Sequence, residues 1–437
     1  MWNKLLLLKA QLLSHEGIRR YGANTAWLMG EKVLRMFMGL FVGIWVARYL
    51  GPEQFGLLSY AQSFVFLFTA IATLGLDSIV VRELVKDNAQ RNVLLGTAFV
   101  LKLIGSICIL PLLWFGVQFT SNDSYTNLLI FIIASGTIFQ SFNVIDFYYQ
   151  SSVLSKYVAF ANTITLAVSS IIKVALILNQ ASLIAFAIVG VFDTIILSLG
   201  LVYFYGQKTQ HSLREWQFDK VVAKQLLLDS WPLGVAGLMF VTYSRVDQVM
   251  LQYMIGNDAV GLYSASQKIV EVFYFLPLVL TRVFFPAIVN AKEYSINIYK
   301  SRLNKLFLFL MTLSLFIASI ISVYGHLTIV TLYGEDFLGA SKILTWQIWS
   351  VLLISIGYIN GLWLVNEKKQ IMLMKNYTYA ALLNVTMNFF LISVYGVMGA
   401  VYASLISQAL VYYIFLWLRK DTKFLVKEIY KVKISNG

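Results

Sequence analysis

The chain has 437 residues, of which 59% are hydrophobic and 13% are charged, with a formal net charge of +13 and a mean hydropathy of +0.73. Since a soluble globular protein carries about 25% charged residues, this composition indicates a polytopic membrane protein. The single cysteine, Cys108, excludes an intramolecular disulfide, and the three histidines lack metal-ligand spacing. No Walker A motif and no G-x-S-x-G motif is present, so ATP hydrolysis within this chain is not expected.

The first predicted element is an amphipathic helix within residues 1–23, lying on the inner membrane face. Its short apolar run is interrupted by Lys9 and has no small-residue cleavage site, which argues against a signal peptide. About twelve apolar runs follow, each near the ~20 residues that a helix needs to cross a ~30 Å hydrocarbon core. We predict membrane spans at about 24–48, 54–76, 92–118, 126–149, 154–178, 182–205, 227–253, 260–287, 306–332, 341–365, 374–394 and 397–418.

The distribution of lysine and arginine gives the orientation of these spans. Clusters of both residues precede the first span, follow spans two, six, eight and ten, and fill the tail at 419–437. The opposite loops, such as "TSNDSYTN", "NQAS", "GND" and "YGVMG", contain neither residue. The positive-inside rule therefore places both termini in the cytoplasm. The net charge then reflects topology and contact with anionic lipid, and no nucleic-acid partner is expected.

An internal repeat divides the chain into two halves. The stretch "ARYLGPEQFGLLSYAQSFVFLF" (residues 47–68) returns as "LQYMIGNDAVGLYSASQKIVEVFYFL" (251–276), and a shift of 205 positions matches Gly51 with Gly256 and Gly56 with Gly261. Because six spans restore the starting side of the membrane, the repeats are parallel, as in many secondary carriers. We predict an all-α fold with two six-helix lobes, 24–205 and 226–418, around a central cavity and joined by a cytoplasmic linker at 206–225. Duplication within a channel or a membrane enzyme is the alternative.

Charged residues at mid-membrane depth are the candidate site, since a charge in hydrocarbon usually faces a bundle interior or a wet cavity. Arg35 lies about 16 Å into the first span, one turn after Glu31 on the same helix face. Its guanidinium is suited to bidentate contact with a phosphate, and Glu31 would hold or release that guanidinium. A structural Glu31–Arg35 bridge is the competing interpretation.

The second copy of the repeat carries four more charges of this kind. Arg245 and Asp247 lie two residues apart in span seven, so they point to nearly opposite sides and cannot form one local pair. Lys268 and Glu271 form an i,i+3 pair near the midplane of span eight. The first copy has Ser63 and Phe66 at the positions of that pair, so the repeat is asymmetric in charge.

Lys102, Asp193 and Asp146 are further candidates within the membrane. Lys102 in span three and Asp193 in span six lie at similar depth, and a Lys102–Asp193 bridge is as good an expectation as a functional role for either. Asp146 belongs to a polar stripe near the inner end of span four. Lys173, near a span end, is expected to extend toward the headgroups.

The chain resembles a Wzx-type O-antigen or polysaccharide flippase of the multidrug/oligosaccharidyl-lipid/polysaccharide exporter superfamily. The resemblance runs nearly end to end and is carried by "ARYLGPEQFGLLSYAQ", "TLYGEDFLGASKIL" (331–344) and "YGVMGAVYASLISQ" (395–408). Such flippases move an undecaprenyl-pyrophosphate-linked repeat unit from the cytoplasmic to the outer leaflet of the bacterial inner membrane, by alternating access. The resemblance implies no catalytic residue, no cofactor beyond a coupling H+ or Na+, and four kinds of partner, namely the lipid-linked glycan, membrane lipids, a polysaccharide polymerase and a chain-length regulator.

The roles of individual residues come from depth and not from a family motif. Substrate-binding candidates are Arg35, Arg245 and Lys268. Ion-coupling or gating candidates are Glu31, Asp247, Glu271, Asp193 and Asp146.

Two other functions fit part of the sequence. A multidrug exporter or lipid II flippase of the same superfamily is one, and the balanced mid-depth charges do not decide against it. A membrane polysaccharide polymerase or glycosyltransferase is the other. Outer loops of about four to twelve residues leave little room for the soluble face that such sugar chemistry needs, so we predict that the protein is not an enzyme.

Overall fold

The fold is known from a computed structural model that describes residues 16–209, 211–367 and 369–414. Within these ranges every regular element is helical, which confirms the prediction of an all-α protein. The basic tail at 419–437 and most of the predicted amphipathic segment at 1–23 lie outside the described residues.

The first half of the chain begins with one long bent helix. Helix α1 (Glu16–Thr73) contains the first two predicted spans, and α2 (Leu76–Lys86) follows it directly. A 3-10 stretch, Gly136–Asn143, joins the fourth helix to the fifth. The remaining helices of this half are α3 (Arg91–Val117), α4 (Ser124–Ser135), α5 (Val144–Ser151), α6 (Lys156–Leu178) and α7 (Leu183–Thr209).

The second half repeats the pattern of long helices joined by short turns. Its helices are α8 (Lys220–Met254), α9 (Asn257–Tyr294), α10 (Ile296–Tyr333), α11 (Ala340–Gln347), α12 (Ser350–Asn366), α13 (Gln370–Tyr395) and α14 (Val397–Ala409), with a π-helical turn at Leu410–Ile414. Nine stretches in the described part of the chain are long and apolar enough to cross a membrane. Within the described residues, each of the twelve predicted spans falls mainly on one of these helices or on a consecutive pair.

The described chain forms two compact units. The first unit contains residues up to Gly43 and Phe68–Gly234, and the second contains Ile44–Leu67 and the residues from Val235 onward. Buried apolar side chains from α2, α3, α5 and α7, such as Val80, Leu95 and Tyr205, form a core of the first unit. The predicted six-helix lobes at 24–205 and 226–418 stay a prediction.

The two copies of the repeated hairpin turn at equivalent glycines. Gly51, at the bend of α1, has φ of 71°, and Gly256, between α8 and α9, has φ of 124°. A residue with a Cβ rarely adopts these angles, so glycine is required at both turns. Since Ile44–Leu67 belongs to the second unit, both hairpins lie in the same unit.

Within the second unit the two hairpins cross in backbone contact. A Cβ placed on Gly56 would lie 1.9 Å from the carbonyl oxygen of Asn257, and a Cβ on Gly261 would lie 2.0 Å from that of Pro52. The shift of 205 positions converts Gly56 into Gly261 and Pro52 into Asn257. The contact is therefore reciprocal, and a local pseudo-two-fold axis relates the two hairpins.

We expect Gly56→Ala and Gly261→Ala each to destabilise the protein by about 1–3 kcal/mol, because either methyl group forces the two backbones apart. Gly237→Ala is the matched control: this helical glycine has no atom within 4 Å of its would-be Cβ. It should be neutral or slightly stabilising, since alanine favours a helix. Thermal unfolding of the purified full chain in detergent measures the difference. Equal melting temperatures for all three variants would contradict the close crossing.

Candidate functional site

A cavity of about 450 Å³ lies within the second unit. Its walls come from α8, α9, α12, α13, α14 and the π-helical turn, with Phe66 from α1 and Gln347 from α11. This volume is in the roughly 300–1,000 Å³ range of small-molecule sites. Three of the residues predicted from the sequence, Arg245, Asp247 and Glu271, line it.

Arg245 and Glu271 face each other across adjacent helices. Arg245 Nη1 lies 3.3 Å from Glu271 Oε1, and both side chains remain partly exposed. Glu271 also accepts a hydrogen bond from Gln267 Nε2 at 3.2 Å, and the guanidinium lies 5.7 Å from the centre of the Phe66 ring. Arg245 thus pairs with a carboxylate on another helix and not with Asp247, as the spacing of these two residues predicted.

Asp247 is almost completely buried, with 4% of its surface exposed. Its carboxylate accepts hydrogen bonds from the hydroxyls of Tyr263 and Ser404 and from Asn388 Nδ2, each at 2.6 Å. All three donors are neutral. Burial of a carboxylate among neutral donors costs free energy that a bound proton or a small cation would recover.

A smaller pocket of about 260 Å³ adjoins this cavity and shares Arg245 and Glu271 with it. Four pairs of repeat-equivalent positions line the pocket: Ser59 and Ser264, Gln62 and Gln267, Ser63 and Lys268, Phe66 and Glu271. The pocket therefore lies on the local pseudo-two-fold axis. Both charges within these pairs come from the second copy, which is the asymmetry predicted from the sequence.

Two contacts in the smaller pocket differ between the copies. The Ser63 hydroxyl donates a hydrogen bond to Gln248 Oε1. At the equivalent position, Lys268 Nζ lies 4.6 Å from the centre of the Phe55 ring, a cation–π contact. The pocket thus combines Lys268 and Arg245 with hydroxyl and amide groups, a set of donors that suits an anion.

The remaining predicted residues lie in the first unit, where Glu31 and Arg35 form an ion pair. Arg35 Nε donates to Glu31 Oε1 at 2.7 Å. Glu31 is buried, whereas 49% of the Arg35 side chain is exposed. The guanidinium can therefore meet a second anion while it remains paired.

The prediction of a Lys102–Asp193 bridge is wrong. Asp193 pairs instead with Lys173, Nζ to Oδ2 at 3.1 Å, because α6 and α7 pack together and bring these residues face to face. Lys173 therefore reaches a carboxylate within the unit instead of the headgroups. Lys102 is buried and lies 3.3 Å from Asp77 Oδ1.

Asp146 belongs to the same charged cluster as Lys102. It accepts a hydrogen bond from Gln150 Nε2 at 2.9 Å and lies within electrostatic range of Asp77 and Lys102. Lys102 also lies 4.8 Å from the ring centre of Phe147, the residue after Asp146. Among the residues that the structure describes, no three His, Cys, Asp or Glu side chains form a metal-binding group.

Most residues of the cavity wall are not predicted from the sequence. Asn384 and Asn388 lie one turn apart within a predicted span, so both amides face one side of the helix. This pair is the sequence feature from which a polar environment for Asp247 can be predicted. Six tyrosines in the cavity wall carry no such signal, since they come from four helices and the π-helical turn. They are Tyr243, Tyr263, Tyr274, Tyr358, Tyr377 and Tyr412.

Comparisons with known proteins agree on fold and family. Residues 21–292 match a family model described as "Polysaccharide biosynthesis protein". A curated relative, "Probable flippase AglR" of Haloferax volcanii, is 22% identical over 412 residues, covering 88% of this chain and 80% of that protein.

Two solved structures have the same fold at 14% sequence identity. The inward closed conformation of the lipid II flippase MurJ has a TM-score of 0.71 and covers 90% of this chain and 87% of that one. An inward-facing multidrug resistance transporter of the MATE family has a TM-score of 0.70 and covers 91% and 96%. These likenesses confirm the predicted fold class.

We expect Tyr263→Phe to destabilise the protein by about 1–3 kcal/mol, because it removes one of three donors from a buried carboxylate. Tyr333→Phe is the matched control. Tyr333 is also buried in the second unit, and its hydroxyl has no hydrogen-bond partner among the described residues. Removing that hydroxyl should leave stability unchanged or raise it. Thermal unfolding distinguishes the two, and equal losses would show that the bond to Asp247 contributes nothing specific.

Proposed function

Because this chain belongs to the polysaccharide biosynthesis protein family, we propose that it is a flippase for undecaprenyl-pyrophosphate-linked oligosaccharide repeat units. It moves them from the cytoplasmic to the periplasmic leaflet of the bacterial inner membrane, for O-antigen or another surface polysaccharide. The family match over residues 21–292 carries this proposal, and the similarity to a probable flippase supports it. The protein transports this substrate by alternating access, and none of its residues is catalytic. A polysaccharide polymerase and a chain-length regulator are the proposed protein partners.

The smaller pocket is the proposed place for the pyrophosphate. Among the described residues that line it, two are cations, Arg245 and Lys268, and one is a carboxylate, Glu271, and serine hydroxyls add neutral donors. Ser264 is buried, and its hydroxyl has no hydrogen-bond partner among the described residues. Arg35, half exposed beside Glu31 in the first unit, is the other proposed cation for the substrate.

Asp247 is the proposed coupling site for H+ or Na+. Binding of either ion would neutralise a buried carboxylate whose donors among the described residues are neutral, which stabilises the ion-bound form. Glu271 and Glu31 each hold an arginine, so neutralising either carboxylate would release a guanidinium for the substrate. The proposed set of gating carboxylates is completed by Asp193, paired with Lys173, and Asp146, bonded to Gln150.

Deleting the chain in its host should cause the lipid-linked repeat unit to accumulate on the cytoplasmic leaflet, since its headgroup is too polar to cross unaided. The accumulated glycan would be resistant to a membrane-impermeant reagent, such as periodate, added outside spheroplasts. Accumulation on the outer leaflet would point to a polymerase. Normal surface polysaccharide would point to a multidrug exporter.

Complementation of the deletion strain supplies the controls for this experiment. The wild-type chain should restore surface polysaccharide, and Arg35→Ala and Arg245→Ala should restore less at equal expression. Lys220→Ala, which changes an exposed lysine at the start of α8, should restore it fully. Full restoration by both arginine variants would remove these residues from the substrate site.

Asp247→Asn should abolish stabilisation of the protein by the coupling ion. A ligand at 100 times its Kd stabilises the folded state by about 2.7 kcal/mol, so the unfolding temperature of the wild type should rise with NaCl over choline chloride, or with falling pH. Asp258→Asn, an exposed carboxylate in the first turn of α9, is the matched control and should respond as the wild type does. An unchanged response in Asp247→Asn would exclude Asp247 as the ion site.

A further inference from the structure

The larger cavity differs in chemistry from the smaller pocket beside it. Of the 25 tyrosines in the chain, six line this one cavity. Amide side chains are the second feature of its wall. They are Gln267, Gln347, Asn360, Asn376 and Gln408. A tyrosine offers an apolar ring face together with a hydroxyl, and an amide offers both donors and an acceptor.

The charges of the cavity wall do not favour an anion. Among the described residues that line the cavity, the charged ones are Arg245, Asp247 and Glu271, that is, one cation and two carboxylates. The cation is paired with Glu271 at 3.3 Å. No surplus positive charge is left to neutralise a phosphate, so the pyrophosphate is better placed in the smaller pocket, where Lys268 is added.

An organic cation is also a poor fit for this wall. Aromatic rings attract cations, but a cation held in a membrane cavity also needs a carboxylate to balance its charge. Glu271 is already paired with Arg245, and the Asp247 carboxylate, with 4% of its surface exposed, offers almost no surface for a bulky cation to contact. A purely apolar ligand, such as a lipid chain, would bring no donor to the buried Gln408 Oε1, which has no hydrogen-bond partner among the described residues, and this is costly.

A buried amide oxygen in the wall has no hydrogen-bond partner among the described residues. Gln408 has only 6% of its surface exposed, and its Oε1 accepts no hydrogen bond from the described residues. A buried acceptor of this kind is stabilised by a ligand that brings a hydroxyl or amide donor. Sugars have such donors around the ring edge, and their C–H faces are apolar enough to stack on aromatic rings.

We infer that this cavity binds the sugar part of the transported molecule, as an uncharged hexose or N-acetylhexosamine residue, with Tyr358 among the stacking rings and Gln408 as an acceptor. The inference rests on the proposed flippase function and divides the substrate between two adjoining pockets. The diphosphate lies near Arg245 and Lys268, and the first sugars lie among the tyrosines.

The test measures sugar binding directly, with the full chain in nanodiscs of sugar-free phospholipid. Two probes, methyl α-glucoside and methyl β-N-acetylglucosaminide, are examined by saturation-transfer NMR. We expect transfer from the wild type to at least one probe. Gln408→Met, which keeps the side-chain length but removes the acceptor, and Tyr358→Leu, which removes the ring, should each weaken binding by about tenfold.

Matched controls separate a lost site from general damage. Gln54→Met and Tyr203→Leu change an exposed glutamine and an exposed tyrosine outside both pockets, and should bind as the wild type does. Unfolding temperatures identify a variant that fails to fold, and either cavity variant alone is sufficient for the test.

Three results would overturn the inference. They are no transfer to either probe, equal binding by the cavity variants and the controls, and binding of tetraphenylphosphonium or inorganic pyrophosphate that is weakened by the same two variants. The leaflet experiment distinguishes this failure from failure of the proposed function. If the repeat unit accumulates on the cytoplasmic leaflet but the sugars do not bind, the flippase function stands and the sugar assignment falls.

Discussion

The reciprocal backbone crossing at Gly56 and Gly261 is the contact on which the candidate site depends. Helices approach this closely only where side chains are absent, so each copy of the repeat must keep glycine at the same place. The crossing sets the local pseudo-two-fold axis, and the smaller pocket lies on that axis because repeat-equivalent residues line it in pairs. A pocket formed in this way would have two identical halves if the copies had identical side chains.

Charged side chains make the two halves of the pocket different, and their partners reduce the free-energy cost of burying them. Lys268 and Glu271 replace a serine and a phenylalanine of the first copy. Glu271 is matched by Arg245, and Lys268 lies against the Phe55 ring. Asp247 is the exception, because its hydrogen-bond donors among the described residues are neutral. A carboxylate in that environment gains more free energy from binding an ion than a carboxylate that is already matched by an arginine.

The sequence predicted the fold more completely than the site. Spans were found because about twenty apolar residues in a row have one stable conformation in a bilayer, a helix with its backbone bonds satisfied internally. Depth along each span also selected Arg245, Asp247, Lys268 and Glu271, which do line the two pockets. The depth of a residue along a span does not tell, however, which neighbouring helix its side chain faces. The expected partner of Asp193 was therefore wrong, and Lys173 occupies that place.

The sequence by itself determined the helical class, the number of spans, the turn glycines and the duplicated hairpin, because each depends on local hydropathy or on backbone conformation. Only the tertiary structure decided which charges are paired, that both hairpins lie in one unit, and that six tyrosines surround one cavity. These features join residues up to about 200 positions apart in sequence, and their spacing carries no periodic signal along the chain. Packing of side chains from different helices therefore determines the chemistry of the site, on helices and turns that local hydropathy and backbone conformation specify.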